Sequence, residues 1–171
     1  VQQAEAMKGA KKRILEVAAQ FAALTGREYG LFEAYRMEDA EIALVLIGSS
    51  AGTAKVTVDA LRARGIPAGL VKIRVFRPFP AEELAQTLKN VKALAILDKA
   101  ESFSAQGGPL FAEVRAALYD LEPRPRTVGY VYGLGGRDIT PAHFASVFAR
   151  LEAIAAGGEL GPVYSHLGQR G

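Results

Sequence analysis

The sequence lacks the residues that redox and metal-dependent proteins commonly use. Among its 171 residues there are no cysteines and only two histidines. The absence of cysteine excludes disulfides, thiolate metal sites, cysteine nucleophiles and cysteine-ligated iron–sulfur clusters within this chain. The histidines, His143 and His166, lie far apart in sequence, and no third imidazole is present to complete a metal triad. We therefore expect no metal site and no redox centre in this chain.

Strongly basic segments and long apolar runs are also missing. The net charge of +3 arises from residues 41–119, where 10 Lys and Arg face 7 acidic residues. No basic run exceeds three residues, so nucleic-acid binding is not expected. The longest apolar run, residues 42–47, has the length of a strand and is too short for a membrane span or a signal peptide. We expect a cytoplasmic chain that, because it begins at Val1, is a processed product or a piece of a larger protein.

The composition that remains is that of a folded domain, since 50% of the residues are hydrophobic and 23% are charged. Residues 1–28 are predicted to form an N-terminal amphipathic helix that ends at Gly26. Its apolar side chains recur every three or four residues, which places them on one narrow stripe. The stripe consists of Met7, Ala10, Ile14, Val17, Phe21 and Leu24.

Residues 29–156 alternate between strand-like and helix-like segments, which predicts a three-layer α/β/α domain with a mostly parallel sheet. Residues 157–171 form a tail with five glycines, for which no regular structure is expected. The predicted strands are residues 30–36, 40–47, 69–76, 91–97 and 127–132, and the predicted helices follow the loop at residues 48–53, Pro80, the pair Gly107-Gly108 and Thr140.

Ligands of such sheets bind beyond the carboxyl ends of the strands, so the loops that follow the strands are the candidate sites. The first loop combines small hydroxyl residues with backbone amides at the start of a helix, a combination that can hold an anion. The same residue types also occur in a tight turn whose Ser or Thr caps the helix, and the sequence favours this alternative. The loop residues in question are Gly48, Ser49, Ser50, Gly52 and Thr53.

Two guanidinium groups, those of Arg74 and Arg77, follow the next parallel strand. They could clamp a phosphate or carboxylate of a partner, or they could pair with acidic residues of this chain. The sequence does not separate the two alternatives. The acidic residues considered for such pairing are Glu82, Glu83 and Asp98.

Asp98 and Glu101 place two carboxylates near the same edge, which is the minimum for acid–base chemistry. The more common role of an Asp at the end of a strand is to accept hydrogen bonds from loop amides, and the sequence favours that role. A further loop, after the last strand, has glycines that permit positive φ, and Asp138 or Thr140 could cap the helix that follows. Its candidate anion- or interface-binding residues are Gly135, Gly136, Arg137 and Asp138.

Four segments, taken in their order and spacing, resemble the C-terminal part of the α chain of pyruvate:ferredoxin oxidoreductase. They are residues 35–41, 48–53, 73–80 and 133–138, and Asp98, Ser102 and the pair Gly107-Gly108 fall at the family's Asp-x-x-x-Ser and Gly-rich turn. The resemblance covers essentially the whole chain. It implies the fold of the transketolase C-terminal domain, a five-stranded sheet whose first strand is antiparallel, with the loops at Gly48 and Asp98 side by side.

The resemblance also implies a parent enzyme that converts a 2-oxoacid and CoA to acetyl-CoA or another acyl-CoA, and that uses thiamine diphosphate, Mg²⁺ and [4Fe–4S] clusters to reduce ferredoxin. These cofactors would be bound elsewhere, by the larger α-chain domain and the β, γ and δ subunits. This segment would be an accessory assembly domain without catalytic residues. The alternatives are the equivalent domain of another thiamine enzyme, such as a 2-oxoacid dehydrogenase β chain, and a free-standing small-ligand or nucleotide-binding module.

Overall fold

The computed structural model describes residues 1–103 and 106–169 as five helices and a six-stranded sheet. The predicted loop at residues 98–108 and the predicted tail each include two residues that lie outside this description. The helices are α1 (Gln2–Thr25), α2 (Ser50–Arg62), α3 (Ala81–Leu88), α4 (Pro109–Ala117) and α5 (Pro141–Ala155). The strands are β1 (Phe32–Tyr35), β2 (Ile42–Ile47), β3 (Ala68–Ile73), β4 (Ala93–Asp98), β5 (Arg126–Tyr132) and β6 (Tyr164–Leu167).

The strands lie in the order β1-β3-β2-β4-β5-β6, and β1 alone is antiparallel to its neighbour in this sheet of described strands. The predicted three-layer α/β/α class and the antiparallel first strand are confirmed. The predicted number of five strands is wrong, because β6 adds a sixth beside β5. β3 also ends at Ile73, before the predicted Phe76, because the amides of Arg74 and Val75 both turn to the carbonyl of Leu31.

The continuous apolar run of β2 is explained by burial on both faces of the sheet. Leu44 and Leu46 pack with α2 and α5 on one face, whereas Ala43 and Val45 pack with α3 and α4 on the other. All four side chains are completely buried. Each buried leucine contributes roughly 2 kcal/mol of hydrophobic stabilisation, so the two faces hold the sheet as the middle layer.

Helix α1 is confirmed, together with its end at Gly26, which has a positive φ of 69°. None of its residues is buried, and Val17 and Leu24 remain 61% and 86% exposed. Its described contacts with α3 include Lys11, which pairs with Glu82 and Glu83, each at 2.8 Å. The described domain therefore leaves most of the apolar stripe of α1 exposed, although Ala10 and Ile14 are half-buried. No described helix has the length and hydropathy that a membrane span requires.

Candidate functional site

The carboxyl edge of the sheet brings the loops after β2 and β4 together, as predicted, because these two strands are parallel neighbours. The chain turns at Gly48, which has a φ of 94°, and α2 begins two residues later. Ser49 occupies the N-cap position of α2, but its side chain makes no capping hydrogen bond. The predicted Ser cap is therefore wrong at Ser49. Anion binding by Gly48, Ser49, Ser50, Gly52 and Thr53 stays a prediction.

Asp98 accepts hydrogen bonds from the first amides of α4, which is the structural role that the sequence favoured. Its Oδ1 lies 2.8 Å from the amide of Leu110 and its Oδ2 lies 3.0 Å from that of Phe111. Burial raises the pKa of this carboxyl group, and the two hydrogen bonds oppose that rise. Both oxygens are thus engaged in holding α4 against the end of β4.

The pair Gly107-Gly108 is required by the close approach of α4 to Asp98. A Cβ at Gly108 would lie 2.3 Å from the Asp98 carboxyl carbon, and one at Gly107 would lie 2.3 Å from the Phe111 ring. Gly107 also has a φ of 114°, which other residues rarely adopt. These glycines allow the turn to pack tightly. Ser102, half-buried in the same loop, makes no side-chain hydrogen bond to any described residue.

Arg74 and Arg77 are each paired with a carboxylate of this chain. Arg74 lies 2.9 Å from Glu33 on β1, and Arg77 lies 2.6 Å from Glu113 on α4. Glu33 also accepts a short hydrogen bond from Lys55, which lowers the pKa of its carboxyl group. Of the two alternatives, the structure therefore shows pairing within the chain for both guanidinium groups. The predicted partners were wrong, since Glu82 and Glu83 pair with Lys11 and Asp98 binds backbone amides.

The glycine-rich loop after β5 contains a turn of 3₁₀ helix at Leu134–Gly136 and leads into α5. Thr140 caps α5 and Pro141 opens it, as predicted, and His143 completes the cap by accepting from the Thr140 amide at 3.1 Å. Asp138 makes no hydrogen bond among the described residues, so it does not serve as the alternative cap. Gly135, Gly136 and Arg137 are exposed around this turn.

Sequence reasoning missed the pairing of His166 with Glu101. The structure places His166 on β6, and its Nε2 lies 2.8 Å from Glu101 Oε2 in the loop after β4. The expectation that residues 157–171 have no regular structure is therefore wrong at β6, which brings His166 to Glu101. The sequence signal for this strand is weak: residues 162–167 contain no glycine, whereas glycines flank them at positions 161 and 168.

Two tyrosine hydroxyls are buried near the same edge without a hydrogen-bond partner among the described residues, those of Tyr132 and Tyr164. Burial raises the pKa of Tyr132, and the nearby Ser50 side chain only partly opposes this rise. Burial raises the pKa of Tyr164 to about 12. Both hydroxyls therefore stay protonated at neutral pH, so neither can act as a general base.

The described residues offer no ligand set for the metal-containing cofactors that the resemblance implies. Among them no group of three or more His, Asp or Glu side chains could hold a metal ion, and the sequence has no cysteine for an iron–sulfur cluster. A magnesium-bound diphosphate requires carboxylate or carbonyl oxygens arranged around the metal. The carboxyl edge instead offers Asp98, whose oxygens already accept two amides.

A family model and several known proteins match most of this chain. The model of pyruvate:ferredoxin oxidoreductase core domain II matches residues 40–144. The pyruvate synthase subunit PorA of Thermotoga maritima is 48% identical over 147 residues, which are 86% of this chain and 37% of that subunit. The ketoisovalerate oxidoreductase subunit VorA of Pyrococcus horikoshii is 40% identical over 158 residues, 92% of this chain and 40% of that subunit.

A solved split-gene transketolase, described as an inactive β4 tetramer, superposes with a TM-score of 0.53 at 21% identity. The match covers 73% of this chain and 43% of the transketolase chain, and it supports the transketolase-like fold. The chain thus spans well under half the length of the curated relatives described above. The chain belongs to the pyruvate:ferredoxin oxidoreductase core domain II family.

Proposed function

We propose that this chain is an accessory assembly domain in the α chain of a 2-oxoacid:ferredoxin oxidoreductase. The parent enzyme would convert a 2-oxoacid and CoA to acyl-CoA and CO₂ and reduce ferredoxin in the cytoplasm. The observation that carries the proposal is the 48% identity with the Thermotoga PorA subunit across 86% of this chain. The family match favours this function over a free-standing ligand-binding module.

The choice of 2-oxoacid would be made outside this segment. Relatives named for pyruvate and for ketoisovalerate align with this chain at 48% and 40% identity over most of its length. One shared domain thus accompanies substrates that differ in side chain, which fits a structural role. The substrate of the parent enzyme would be selected by the larger domain of the α chain.

The cofactors would also be held elsewhere in the assembly. Among the described residues no cluster of His, Asp or Glu could hold Mg²⁺, and the sequence has no cysteine to ligate a [4Fe–4S] cluster. Thiamine diphosphate and CoA are proposed to be bound by the other domains as well. Titration of the chain with thiamine diphosphate and Mg²⁺ in a calorimeter should therefore show no saturable binding in the micromolar range. Saturable micromolar binding would contradict the accessory role.

The partners would be the remaining α-chain domain and the β, γ and δ subunits, with ferredoxin contacted only indirectly. Helix α1 supports this assignment, because most of its apolar stripe is exposed within the described domain. Exposed apolar surface of this kind favours contact with another protein surface. Nucleic acid and membranes are not proposed as partners.

A domain exchange tests the assembly role. The segment of Thermotoga PorA that aligns with this chain is replaced by residues 1–171, and pyruvate- and CoA-dependent reduction of a viologen dye is measured after assembly with the other subunits. We expect the exchanged enzyme to keep at least a tenth of the parental activity. The matched control carries the transketolase segment of the same fold, which is 21% identical to this chain, and should not assemble.

The outcome that contradicts the proposal is a folded exchange variant that fails to bind the other subunits. Equal activity with the transketolase segment would also contradict it, because any domain of this fold would then suffice. Retained assembly with this chain alone is the expected result.

Away from its parent, the chain is expected to self-associate through the stripe of α1. Sedimentation equilibrium at tens of micromolar should show a dimer for the native chain and a monomer for Phe21→Glu, since Phe21 is 40% exposed on the stripe. Gln20→Glu is the matched control, because it adds the same charge to an exposed position outside the stripe. A native monomer, or equal dissociation of both variants, would show that the stripe mediates no association.

A further inference from the structure

An open cleft of about 630 Å³ lies where β5 and β6 end at the carboxyl edge. The loop after β5 forms one wall and the residues that follow β6 form the other. This cleft lies beside the last two strands of the sheet, away from the paired guanidiniums of Arg74 and Arg77. The residues that line it include Gly133, Leu134, Gly135, Arg137, Gly168 and Gln169.

The backbone of the loop after β5 has the alternating conformation that gathers amide groups around one point. Gly133 and Gly135 have φ values of 67° and 66°, and Leu134 between them is helical with a negative φ. Alternation of left-handed and right-handed residues turns successive N–H groups into a shared concavity, which is a general anion-binding arrangement. Gly136 continues the turn with a φ of 74°.

Two cationic side chains lie at or beside this cleft: Arg137 lines it, and Lys99 lies next to Gly133 of its wall. Neither Lys99 nor Arg137 has a carboxylate oxygen within 4.0 Å in the part of the chain that the structure describes. Arg137 donates from Nη1 to the carbonyl of Gly168 at 3.1 Å, which leaves the rest of its guanidinium available. The nearby carboxylate of Glu101 is engaged by His166 at 2.8 Å.

Lys99 lies close to Gly133, a glycine in the wall of the cleft. Its Nζ lies 5.4 Å from the centre of the Tyr132 ring, so the side chain crosses the end of β5 toward the loop. A Cβ built at Gly133 would lie 3.1 Å from Lys99 Cε, which is tighter than nine in ten such contacts. The side chain of Lys99 therefore lies directly against the backbone of Gly133 in the wall of the cleft.

We propose that this cleft binds a phosphate group of a small organic molecule, held by the amides of residues 134–136 and by the side chains of Lys99 and Arg137. A phosphate dianion matches the two unpaired positive charges, and several N–H donors match its three terminal oxygens. The volume of the cleft accommodates a small phosphorylated molecule. The site is separate from the accessory role proposed above and does not depend on it.

The test measures binding of inorganic phosphate to the ¹⁵N-labelled chain by NMR at pH 8, with the ionic strength held constant by chloride. We expect saturable shifts of the amide signals of Leu134, Gly135 and Gly136 with a dissociation constant in the millimolar range. The double variant Lys99→Gln/Arg137→Gln should weaken binding at least tenfold. Both side chains are exposed, so the variant should keep its fold, which the remaining amide signals report.

The matched control is Arg64→Gln/Lys89→Gln, which removes the same charge from exposed positions that follow α2 and α3. It should change phosphate binding by less than twofold. Equal weakening in both double variants would overturn the proposal, because only net charge would then matter. Shifts confined to residues 48–53 would also overturn it, and equally strong binding of acetate would identify a carboxylate site instead of a phosphate site.

Discussion

The two sides of the carboxyl edge use the same kinds of cation in opposite ways. On the β1–β3 side, Arg74 and Arg77 are each held by a carboxylate within 3 Å. On the β5–β6 side, Lys99 and Arg137 have no carboxylate within reach among the described residues. Cations that follow strands are therefore structural on one side and available for a ligand on the other. The difference is made by neighbouring side chains and cannot be read from residue type.

Asp98 separates these two sides, and the largest expected effect concerns the glycine that packs against it. Gly108→Ala should lower the free energy of unfolding by about 3 kcal/mol, because its Cβ would overlap the Asp98 carboxyl group. Urea denaturation followed by circular dichroism measures the change. Gly52→Ala is the control, since a Cβ meets nothing within 4 Å there and alanine favours helix α2. Equal losses in both variants would contradict this account of Gly108.

Removal of the Asp98 side chain should have the next largest effect. Asp98→Ala leaves the amides of Leu110 and Phe111 without an acceptor and should cost about 2 kcal/mol of stability. Asp138→Ala removes an exposed carboxylate without a hydrogen bond and should change stability by less than about 0.5 kcal/mol. If thermal unfolding showed the two variants to be equally stable, Asp98 would not anchor α4.

Acid should weaken the paired side of the edge through Glu33. The hydrogen bond from Lys55 lowers the pKa of Glu33 below its ordinary value of 4.5, so the ionised pair stabilises the fold above that pH. This stabilisation is lost as the pH falls through the lowered pKa of the folded state. Glu33→Gln should therefore cost about 1 kcal/mol at pH 7 and much less at pH 3. A loss that is independent of pH between 3 and 7 would contradict the role of this pair.

The smallest expected effect concerns Arg77, on the β1–β3 side of the carboxyl edge. Arg77→Ala should leave phosphate binding within twofold of the native chain, because the guanidinium is already neutralised by Glu113. Its cost in stability should stay below about 1 kcal/mol, since the side chain of Arg77 is half-exposed. Phosphate titration by NMR measures the first quantity. A tenfold weakening would place the anion site on the β1–β3 side instead.

Most of the strands and helices can be predicted from the sequence, because the strongest sequence patterns are local. Residues 42–47 are apolar throughout, and both faces of β2 are covered by helices. Asp98 at the end of an apolar run indicated its role as an acceptor of amides. Gly26, Thr140 and Pro141 likewise marked helix ends that the structure confirms.

The remaining features depend on contacts between distant residues. β6 was missed because Tyr164 and Leu167 form too short an apolar pattern, and pairing with β5 supplies the missing stabilisation. The partners of Arg74 and Arg77 could not be chosen, since several acidic residues were equally near in sequence. Lys99 was overlooked because its approach to Gly133 joins two residues that are far apart in sequence.

Both outer strands of the sheet are unusually short, which limits how another chain can extend it. β1 spans four residues and is followed by Arg36, which has a φ of 55°, and β6 spans the four residues Tyr164–Leu167 directly before Gly168. Four residues offer about 13 Å of free strand, too little for a durable template for a further strand. Neighbouring subunits are therefore expected to meet this domain through helices and loops, and the sheet is protected from growing into aggregates.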